Sequence, residues 1–156
     1  MGWEIERKFL LKDDSWRSIA GNGVRMIQGY IAGGGGVPTV RVRIAGDRAY
    51  LTIKGKSEGL VRSEFEYQIP VSEAEYMLGN LCGERVVEKI RYVCGRWEID
   101  EYLGLNAGLF TAEIELSSAD EQFEAPAWLG TEVSDDSAYS NGALSRKPYT
   151  MWGSEK

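Results

Sequence analysis

Seven segments of this chain alternate charged and apolar residues with a period of two, and this alternation constrains the fold more than any other feature. If residues 4–11 form a β-strand, Glu4, Glu6 and Lys8 share one face while Ile5 and Phe9 share the other. Such a charged face is costly to bury unless it meets a metal, an anion or opposite charges. For this segment alone, a solvated edge strand is an equally good interpretation.

The other segments repeat the pattern, and each carries its charges on a single face. The bases on all seven faces are Lys8, Arg41, Arg43, Lys54, Arg62, Lys89 and Arg91. The acids are Glu4, Glu6, Glu64, Glu66, Glu98, Asp100, Glu113 and Glu115. An open sheet would also alternate, but same-sign pairs on successive strands are destabilising unless an opposite charge lies between them. We therefore predict a mainly β (α+β) fold: a closed or nearly closed antiparallel barrel with a charged lumen and short helices packed outside.

Other kinds of barrel fit the sequence less well. A membrane barrel needs a secretion signal and a long lipid-facing band, and a lipocalin-like carrier needs an apolar lumen. No run approaches the roughly 18 apolar residues of a membrane helix. The net charge of -6 argues against a general nucleic-acid binder. We expect one domain over residues 1–156, located in the cytoplasm, with no nucleic-acid or membrane partner; the oligomeric state is left open.

The composition also limits the chemistry. The chain has no histidine, and Cys82 and Cys94 are its only cysteines. Zinc sites of the usual Cys and His kind and catalysis by imidazole are therefore excluded. Any reaction must use carboxylates, Lys, Arg, hydroxyl groups or a hard metal ion.

The charges predicted for the lumen indicate the kind of ligand. Seven bases and eight acids give a net charge of -1, so the empty lumen has no net attraction for an anion. One divalent cation would make the lumen positive, and two would make it strongly so. Carboxylate oxygens suit Mg²⁺ or Mn²⁺, and guanidinium groups match phosphate bidentately. The sequence therefore predicts a small polyanionic substrate bound together with a divalent metal.

The remaining segments are predicted as connections and helices. Helices are expected over residues 13–19, 72–81, 118–124 and 136–144, and an apolar turn over residues 126–130. For the second helix, Ser72 and Glu75 have the spacing of a capping box, and Tyr76, Met77 and Leu81 form the apolar side. The four glycines at positions 33–36 are expected to form the loop of a flexible hairpin.

Taken together, these motifs resemble the CYTH domain family, the triphosphate tunnel metalloenzymes. The pattern Glu4-Ile5-Glu6-Arg7-Lys8 is similar to the ExExK signature of that family. The resemblance continues in order through residues 41–43, 52–54, 62–66, 89–91, 98–100, 113–115 and 139–144. It implies an eight-stranded antiparallel tunnel that binds a triphosphate compound with Mg²⁺ or Mn²⁺. For a short member, it implies metal-dependent hydrolysis of inorganic triphosphate to phosphate and diphosphate.

The resemblance also implies roles for individual residues. Metal ligands are expected at Glu4, Glu6, Asp100, Glu113 and Glu115. Substrate-binding bases are expected at Lys8, Arg41, Arg43, Lys54, Arg62, Lys89 and Arg91. Catalytic roles are expected for Glu4, Glu6, Lys8, Lys54, Glu66 and Asp100. The glycine-rich segment departs from the family pattern and leaves the substrate selectivity open.

Several alternatives share this fold. A thiamine triphosphatase or a nucleoside triphosphatase would use the same charged lumen. An adenylate cyclase would need contacts to adenine and ribose, for which Tyr30 or Tyr50 could supply stacking. A non-catalytic polyphosphate or nucleotide-binding module would bind without turnover, but its acidic pairs would then repel the ligand unless a metal is used.

Overall fold

The computed structural model of the chain describes residues 2–155 and, for side chains, residues 2–153. It contains nine β-strands and two α-helices, with short 3-10 helices between them. The strands are β1 (Gly2–Leu11), β2 (Val24–Gly34), β3 (Val37–Ala45), β4 (Arg48–Lys54), β5 (Val61–Ile69), β6 (Val86–Cys94), β7 (Trp97–Tyr102), β8 (Phe110–Glu115) and β9 (Leu129–Glu132). The α-helices are α1 (Val71–Asn80) and α2 (Asn141–Arg146).

Eight strands form a closed antiparallel barrel, which confirms the predicted fold class. Neighbouring strands follow the order β5, β4, β3, β2, β6, β7, β8 and β1, and β1 returns to β5 to close the barrel. The predicted hairpins β3–β4 and β6–β7 are both present. β9 is an additional strand that pairs with β1.

β1 closes the barrel because it pairs with three other strands. Its first residues pair with β5, where Glu4 lies opposite Arg62. Its second half pairs with β8, where Lys8 lies opposite Glu113. β9 follows β5 along the edge of β1 away from β8, with Leu11 opposite Leu129. The charged face of β1 is thereby held against strands from the middle and the end of the chain.

Two apolar clusters pack on the outside of the barrel. The first joins outward residues of β1, β7 and β8 to Trp16 and Trp128, which lie outside helices α1 and α2. The second joins Val42 and Ala49 to Ala74 of α1 and to Cys82. Helices therefore cover less of the exterior than predicted, and Trp3 and Tyr67 remain exposed.

A third apolar cluster lies on the inward face of the strands and closes part of the lumen. It consists of Val87, Tyr102, Leu109 and Leu144. Val87 shares its strand face with Lys89, and Tyr102 shares its face with Asp100, so the inward face changes from charged to apolar along the barrel. α2 carries Leu144 into this cluster, and the lumen is therefore charged over only part of its length.

The glycine-rich segment is more regular than predicted. β2 continues through Gly34 and β3 begins at Val37, so only Gly35 and Gly36 form the turn. Both have positive φ angles, 61° and 86°, which is the backbone geometry of a tight two-residue hairpin. The predicted hairpin is present, but its loop is shorter than predicted, because Gly33 and Gly34 belong to the strand.

The helix expected at residues 118–124 is absent from this described segment. The backbone N–H of Ser117 donates to Glu121 Oε1 at 2.7 Å, and Ser118 Oγ donates to Asp120 Oδ1 at 2.8 Å. These local side-chain bonds satisfy polar groups without a helical ladder. The turn expected over residues 126–130 is also shorter than predicted, because β9 begins at Leu129.

The other predicted helices differ in extent. Residues 13–19 contain only the 3-10 helix Ser15–Ser18. Residues 136–144 contain the 3-10 helix Ser137–Tyr139 followed by α2. Ser140 interrupts them with an extended backbone, and its side chain caps α2 by accepting a hydrogen bond from Ala143 N. The tail also forms a 3-10 helix, Tyr149–Glu155.

α1 begins earlier than the predicted capping box requires. Its N-cap is Pro70, with no side-chain cap, so Ser72 already lies inside the first turn. Ala74 is buried, and Met77 packs against the same cluster, whereas Tyr76 and Leu81 are 64% and 51% exposed. None of the helices in the described part of the chain is long and apolar enough to span a bilayer.

Candidate active site

The lumen contains a cavity of about 300 Å³ whose wall is mostly charged. It is lined by Glu4, Glu6, Lys8, Tyr30, Thr39, Arg41, Arg43, Lys54, Arg62, Glu64, Glu66, Arg91, Glu98, Glu113, Glu115, Ser140 and Asn141. Every predicted site residue is on this wall except Lys89 and Asp100. The wall carries six bases and seven acids, a formal charge of -1.

Lys89 and Asp100 lie behind the wall, where they are fully buried. Lys89 Nζ is 2.8 Å from Asp100 Oδ2, and Arg91 donates to both Asp100 oxygens at 2.8 and 2.9 Å. Burial disfavours the Asp100 carboxylate, but Lys89 and Arg91 outweigh it and lower the pKa of Asp100 to about 2. Burial lowers the pKa of Lys89 to about 7, opposed by Asp100. Both groups are occupied by their partners rather than presented to the cavity.

Glu6 and Glu113 form a crowded pair of carboxyl groups on β1 and β8. Burial, followed by the charges of Glu113 and Glu4, raises the pKa of Glu6 well above its ordinary value. Burial alone would also raise the pKa of Glu113, but the charges of Lys8 and Arg91 outweigh burial and lower that pKa. The two side chains share a hydrogen bond. Repulsion between the two carboxylates therefore favours the protonated form of Glu6.

A second pair of carboxyl groups, Glu4 and Glu64, lies beside it and is joined by a hydrogen bond. The hydrogen bond to Glu4, together with burial, raises the pKa of Glu64 to about 7. Burial disfavours the Glu4 carboxylate, but the hydrogen bond with Glu64 and the charge of Lys54 lower the pKa of Glu4 to about 2. Lys54 Nζ lies 2.8 Å from Glu4 Oε2 and 3.3 Å from Glu64 Oε2.

These acids have the chemistry of a divalent-metal site. Their donors are carboxylate oxygens, which hard cations prefer. As the side chains stand, no three acidic residues within residues 2–155 converge on one point. The crowding at Glu6 and Glu113 nevertheless fits a cation, because added positive charge would relieve the repulsion that now retains a proton.

The arginines on the wall form a cluster of the opposite sign. Burial, then repulsion by Arg41 and Arg91, lowers the pKa of Arg43 to about 10. Arg43 Nε donates to Gln28 Oε1 at 2.9 Å, and Arg62 Nε donates to the Gly55 carbonyl at 3.2 Å. Arg41 Nε is buried and has no hydrogen-bond partner. An anion in the cavity would both satisfy this donor and relieve the repulsion.

Comparison with known families agrees with this geometry. The family model described as the CYTH domain matches residues 3–147. The chain belongs to the CYTH domain family. The match includes the whole barrel from Trp3 to β9 and continues through α2.

Individual relatives match this CYTH domain along nearly its whole length. An inorganic triphosphatase of Acetivibrio thermocellus is 46% identical over 153 residues, covering 96% of this chain and 97% of the relative. An inorganic triphosphatase of Nitrosomonas europaea is 35% identical over 149 residues, covering 90% of this chain and 95% of the relative. A crystal structure described as an inorganic triphosphatase has a TM-score of 0.65 at 32% identity, covering 93% of this chain and 95% of that one.

The CYTH domain also places residues at the site that sequence reasoning assigned no role. Gln28 is fully buried. Its Oε1 accepts a hydrogen bond from Arg43, and its Nε2 donates a hydrogen bond to Tyr30 Oη at 2.8 Å. Both residues lie on the inward face of β2, and their two-residue spacing was the available signal. Tyr30, considered above only as a base-stacking group, lines the cavity wall.

Asn141 connects α2 of the CYTH domain to the buried ion pair. Its Oδ1 accepts from Lys89 Nζ at 3.2 Å and from Tyr102 Oη at 3.1 Å. Lys8 is held by the same part of the chain, since its Nζ donates to the Tyr139 carbonyl at 2.9 Å. The segment around α2 thus fixes two lumen bases, which strand periodicity alone could not indicate.

Proposed function

We propose that this CYTH domain hydrolyses inorganic triphosphate to phosphate and diphosphate inside its barrel, with a divalent cation bound. The relatives named inorganic triphosphatases, at 46% and 35% identity, support this substrate. The lumen supports the same reaction, because a triphosphate is a polyanion whose hydrolysis is accelerated mainly by positioning and charge neutralisation.

The observation that carries the proposal is the presence of two repelling clusters on one cavity wall. Arg41 and Arg91 repel Arg43, and burial adds to the cost of the Arg43 charge. Glu6 is likewise destabilised by Glu113 and Glu4. A phosphate chain bound by the first cluster and a cation bound by the second would relieve both. A ligand that carries charge of only one sign would relieve the repulsion in only one of the two clusters.

The side chains can be assigned roles on this basis. Phosphate oxygens would bind the bases Lys8, Arg41, Arg43, Lys54, Arg62 and Arg91. Glu4, Glu6, Glu113 and Glu115 would hold the cation, which when bound supplies charge neutralisation at the phosphoryl oxygens. Glu66 accepts from Thr52 at 2.8 Å and from Arg41 at 3.3 Å, so we assign it to orienting Arg41. With no histidine in the chain, a lumen carboxylate accepts the proton of the attacking water.

Asp100 and Lys89 receive a different role from the one expected. Asp100 holds Arg91 through two hydrogen bonds while remaining fully buried itself. We therefore propose that Asp100 and Lys89 are positioning residues that fix Arg91 on the wall. In this role, Asp100 does not contact the metal directly and Lys89 does not contact phosphate directly.

The proposal also covers the identity of the cation, the extent of the catalytic domain and the cellular location. The cation is Mg²⁺ or Mn²⁺, because an oxygen-only ligand set suits both. Residues 1–156 act as one catalytic domain. The protein works in the cytoplasm, as the sequence led us to expect.

Phosphate release tests the function directly. Purified protein would be supplied with inorganic triphosphate, thiamine triphosphate or ATP, each with Mg²⁺, Mn²⁺ or EDTA. Cyclic AMP would be measured in the ATP samples. We expect the fastest release from inorganic triphosphate, dependence on Mg²⁺ or Mn²⁺, and none in EDTA.

Other outcomes would identify another member of the family. Full activity in EDTA would refute the metal-dependent scheme. Faster release from thiamine triphosphate or ATP would change the substrate, and cyclic AMP without phosphate release would indicate a cyclase. Binding without turnover of any substrate would indicate a binding module.

A further inference from the structure

A second compartment adjoins the lumen cavity and reaches the surface. Its volume is about 470 Å³, and it shares Glu4, Glu6, Lys8, Tyr30, Thr39, Arg62 and Ser140 with the cavity. The rest of its wall comes from the end of β2, residues 57–60 and the segment from Val133 to Arg146. We call it the mouth compartment. A chain of phosphates longer than the cavity would extend into it.

Arg146 is the last residue of α2 and lines the mouth compartment. Its guanidinium lies against the bare backbone of Gly34, where an added Cβ would be 3.3 Å from Nη2 and 3.4 Å from Cζ and Nη1. Gly34 has a φ of 77°, which also favours glycine. On the other side, Gly142 would place a Cβ 3.9 Å from both Arg146 Nη1 and Tyr30 Cε1. Two residues without side chains thus leave space for this guanidinium beside the lumen.

Most bases of the two compartments are already paired with acids. Lys8, Arg41, Lys54 and Arg91 each have a carboxylate oxygen within 3.6 Å. Among the side chains described for residues 2–153, Arg43, Arg62 and Arg146 have no such ion pair. These three guanidiniums extend from the cavity to the mouth compartment. They are the bases most able to accept a new anion, because binding need not break an existing pair.

The mouth compartment also contains acids, which limit what can bind there. Asp135 and Asp136 are exposed on its wall, and Asp136 Oδ1 accepts from Ala138 N. Neither forms an ion pair with Arg146 within the described side chains. Repulsion by these acids grows with the charge of the anion, so binding there depends on the bidentate contact that the Arg146 guanidinium can offer.

We propose that Arg146 is a substrate-binding residue that selects a free terminal phosphate over an esterified one. An unesterified terminal phosphate carries close to two negative charges at neutral pH and offers oxygens for a guanidinium fork. An esterified phosphate carries less charge and places an organic group at the same position. The inference rests on the proposed triphosphatase function and names the residue that sets its preference for inorganic triphosphate.

Arginine variants test this role against a control. R146A removes the guanidinium, and R146K keeps the charge without the planar fork. R48A removes an exposed arginine of β4 that lies on neither compartment, so it matches the loss of one positive charge. Steady-state kinetics with inorganic triphosphate and ATP would be measured for each variant, with folding checked by thermal denaturation.

We expect R146A to raise KM for inorganic triphosphate about tenfold with kcat changed less than twofold, the size of effect of one charge-assisted contact. With the γ-phosphate of ATP held by the cavity bases for hydrolysis, its esterified α-phosphate would face Arg146, so kcat/KM for ATP should stay within twofold or rise and the preference ratio should fall. R146K should lie between R146A and the unmodified protein, and R48A should match the unmodified protein.

The measurements distinguish a failure of the proposed function from a failure of the role proposed for Arg146. If the unmodified protein does not hydrolyse inorganic triphosphate, the proposed function is wrong. If it does, and R146A leaves KM and the preference ratio unchanged, the role of Arg146 is overturned. Calorimetric binding of imidotriphosphate, a non-hydrolysable analogue, in the presence of Mg²⁺ gives a readout without turnover: R146A should weaken it about tenfold, and equal affinity would also overturn the inference.

Discussion

Glu6 is the lumen residue whose charge depends most directly on what the barrel binds. Its pKa is raised by burial and by Glu113 and Glu4, so the folded protein retains its proton above the pH at which an unfolded chain releases it. Ionisation of Glu6 as the pH rises therefore costs stability in the absence of a cation. A cation removes this cost by taking the place of the proton.

The Glu6→Gln variant separates the effect of the Glu6 charge on stability from its effect on cation binding. In EDTA at pH 8, we expect the variant to melt at a higher temperature than the unmodified protein, because glutamine cannot ionise. The difference should vanish near pH 4, where both folded and unfolded forms keep the Glu6 proton. Metal-dependent hydrolysis should fall by about 100-fold or more, since a neutral amide binds a divalent cation poorly.

The exposed residue Glu75 on α1 provides the matched control for Glu6. Glu75→Gln should change neither the melting temperature nor the rate. Unchanged turnover in Glu6→Gln would remove this residue from the site, and a melting temperature below that of the unmodified protein at pH 8 would contradict the crowding of Glu6.

Asp100→Asn should destabilise the fold as well as the site. It would leave Lys89 and Arg91 without their shared carboxylate in a fully buried position. Breaking a buried pair in this way costs about 3 to 5 kcal/mol, which urea denaturation would measure. The same change at exposed Asp135 should cost less than about 0.5 kcal/mol. A loss below about 1 kcal/mol at Asp100 would show that the pair is not buried in solution.

At this scale, the sequence predicts which face a residue lies on but not how deep it lies. Alternation placed Lys89 and Asp100 on the inward face, and they are there, yet they lie behind the cavity wall. Depth depends on strand tilt and on α2, which the local pattern does not contain. Arg146 was missed for the same reason: its contact is with Gly34, more than a hundred positions earlier.

Among the elements, α2 has an effect larger than its six residues suggest. It brings Leu144 into the apolar cluster inside the barrel and Asn141 to the buried Lys89. The cluster closes part of the lumen, so its packing limits water access and holds the segment that carries Arg146. A defect in α2 should therefore affect both stability and substrate binding.

Leu144→Ala tests this packing. Leu144 is fully buried, and truncating such a leucine costs about 2 to 5 kcal/mol through lost burial and a residual cavity. Leu105, which is 61% exposed, provides the same chemical change with an expected cost below about 0.5 kcal/mol. Urea denaturation of both variants would compare them. Equal losses would mean that α2 does not pack into the barrel.

The long alternating strands could be predicted from sequence, whereas short irregular elements could not. β1 and β3 to β8 show clear alternation between charged and apolar residues. β9 has only four residues and is stabilised by pairing with β1 rather than by its own pattern. Residues 118–124 were mistaken for a helix because side-chain hydrogen bonds to nearby groups compete with the helical ladder there.

For the whole molecule, the apolar clusters and the charged lumen make separate contributions. The exterior clusters pack Trp16, Trp97, Val42 and similar residues without any lumen acid. The fold should therefore persist when divalent cations are removed, while cation binding should stabilise it further by relieving the crowding in the lumen.

Thermal denaturation with and without metal checks this expectation. In EDTA, we expect a cooperative transition and unchanged circular dichroism at 25 °C. Mg²⁺ at about 100 times its Kd should add about 2.7 kcal/mol, or roughly 5 to 10 °C for a domain of this size. Glu6→Gln should lose most of that increase. Unfolding in EDTA at 25 °C would mean that the metal is needed for the fold itself.

The pairing of β1 also determines when the site can first exist. Glu6 lies opposite Glu115 and Lys8 opposite Glu113, so the two halves of the acidic cluster are separated by roughly a hundred residues of chain. At the ordinary pace of translation, about 5 to 20 residues per second, that interval lasts about 5 to 20 s. During it, β1 has emerged from the ribosome without β8 and β9. A nascent chain that lacks β8 therefore cannot assemble the acidic cluster.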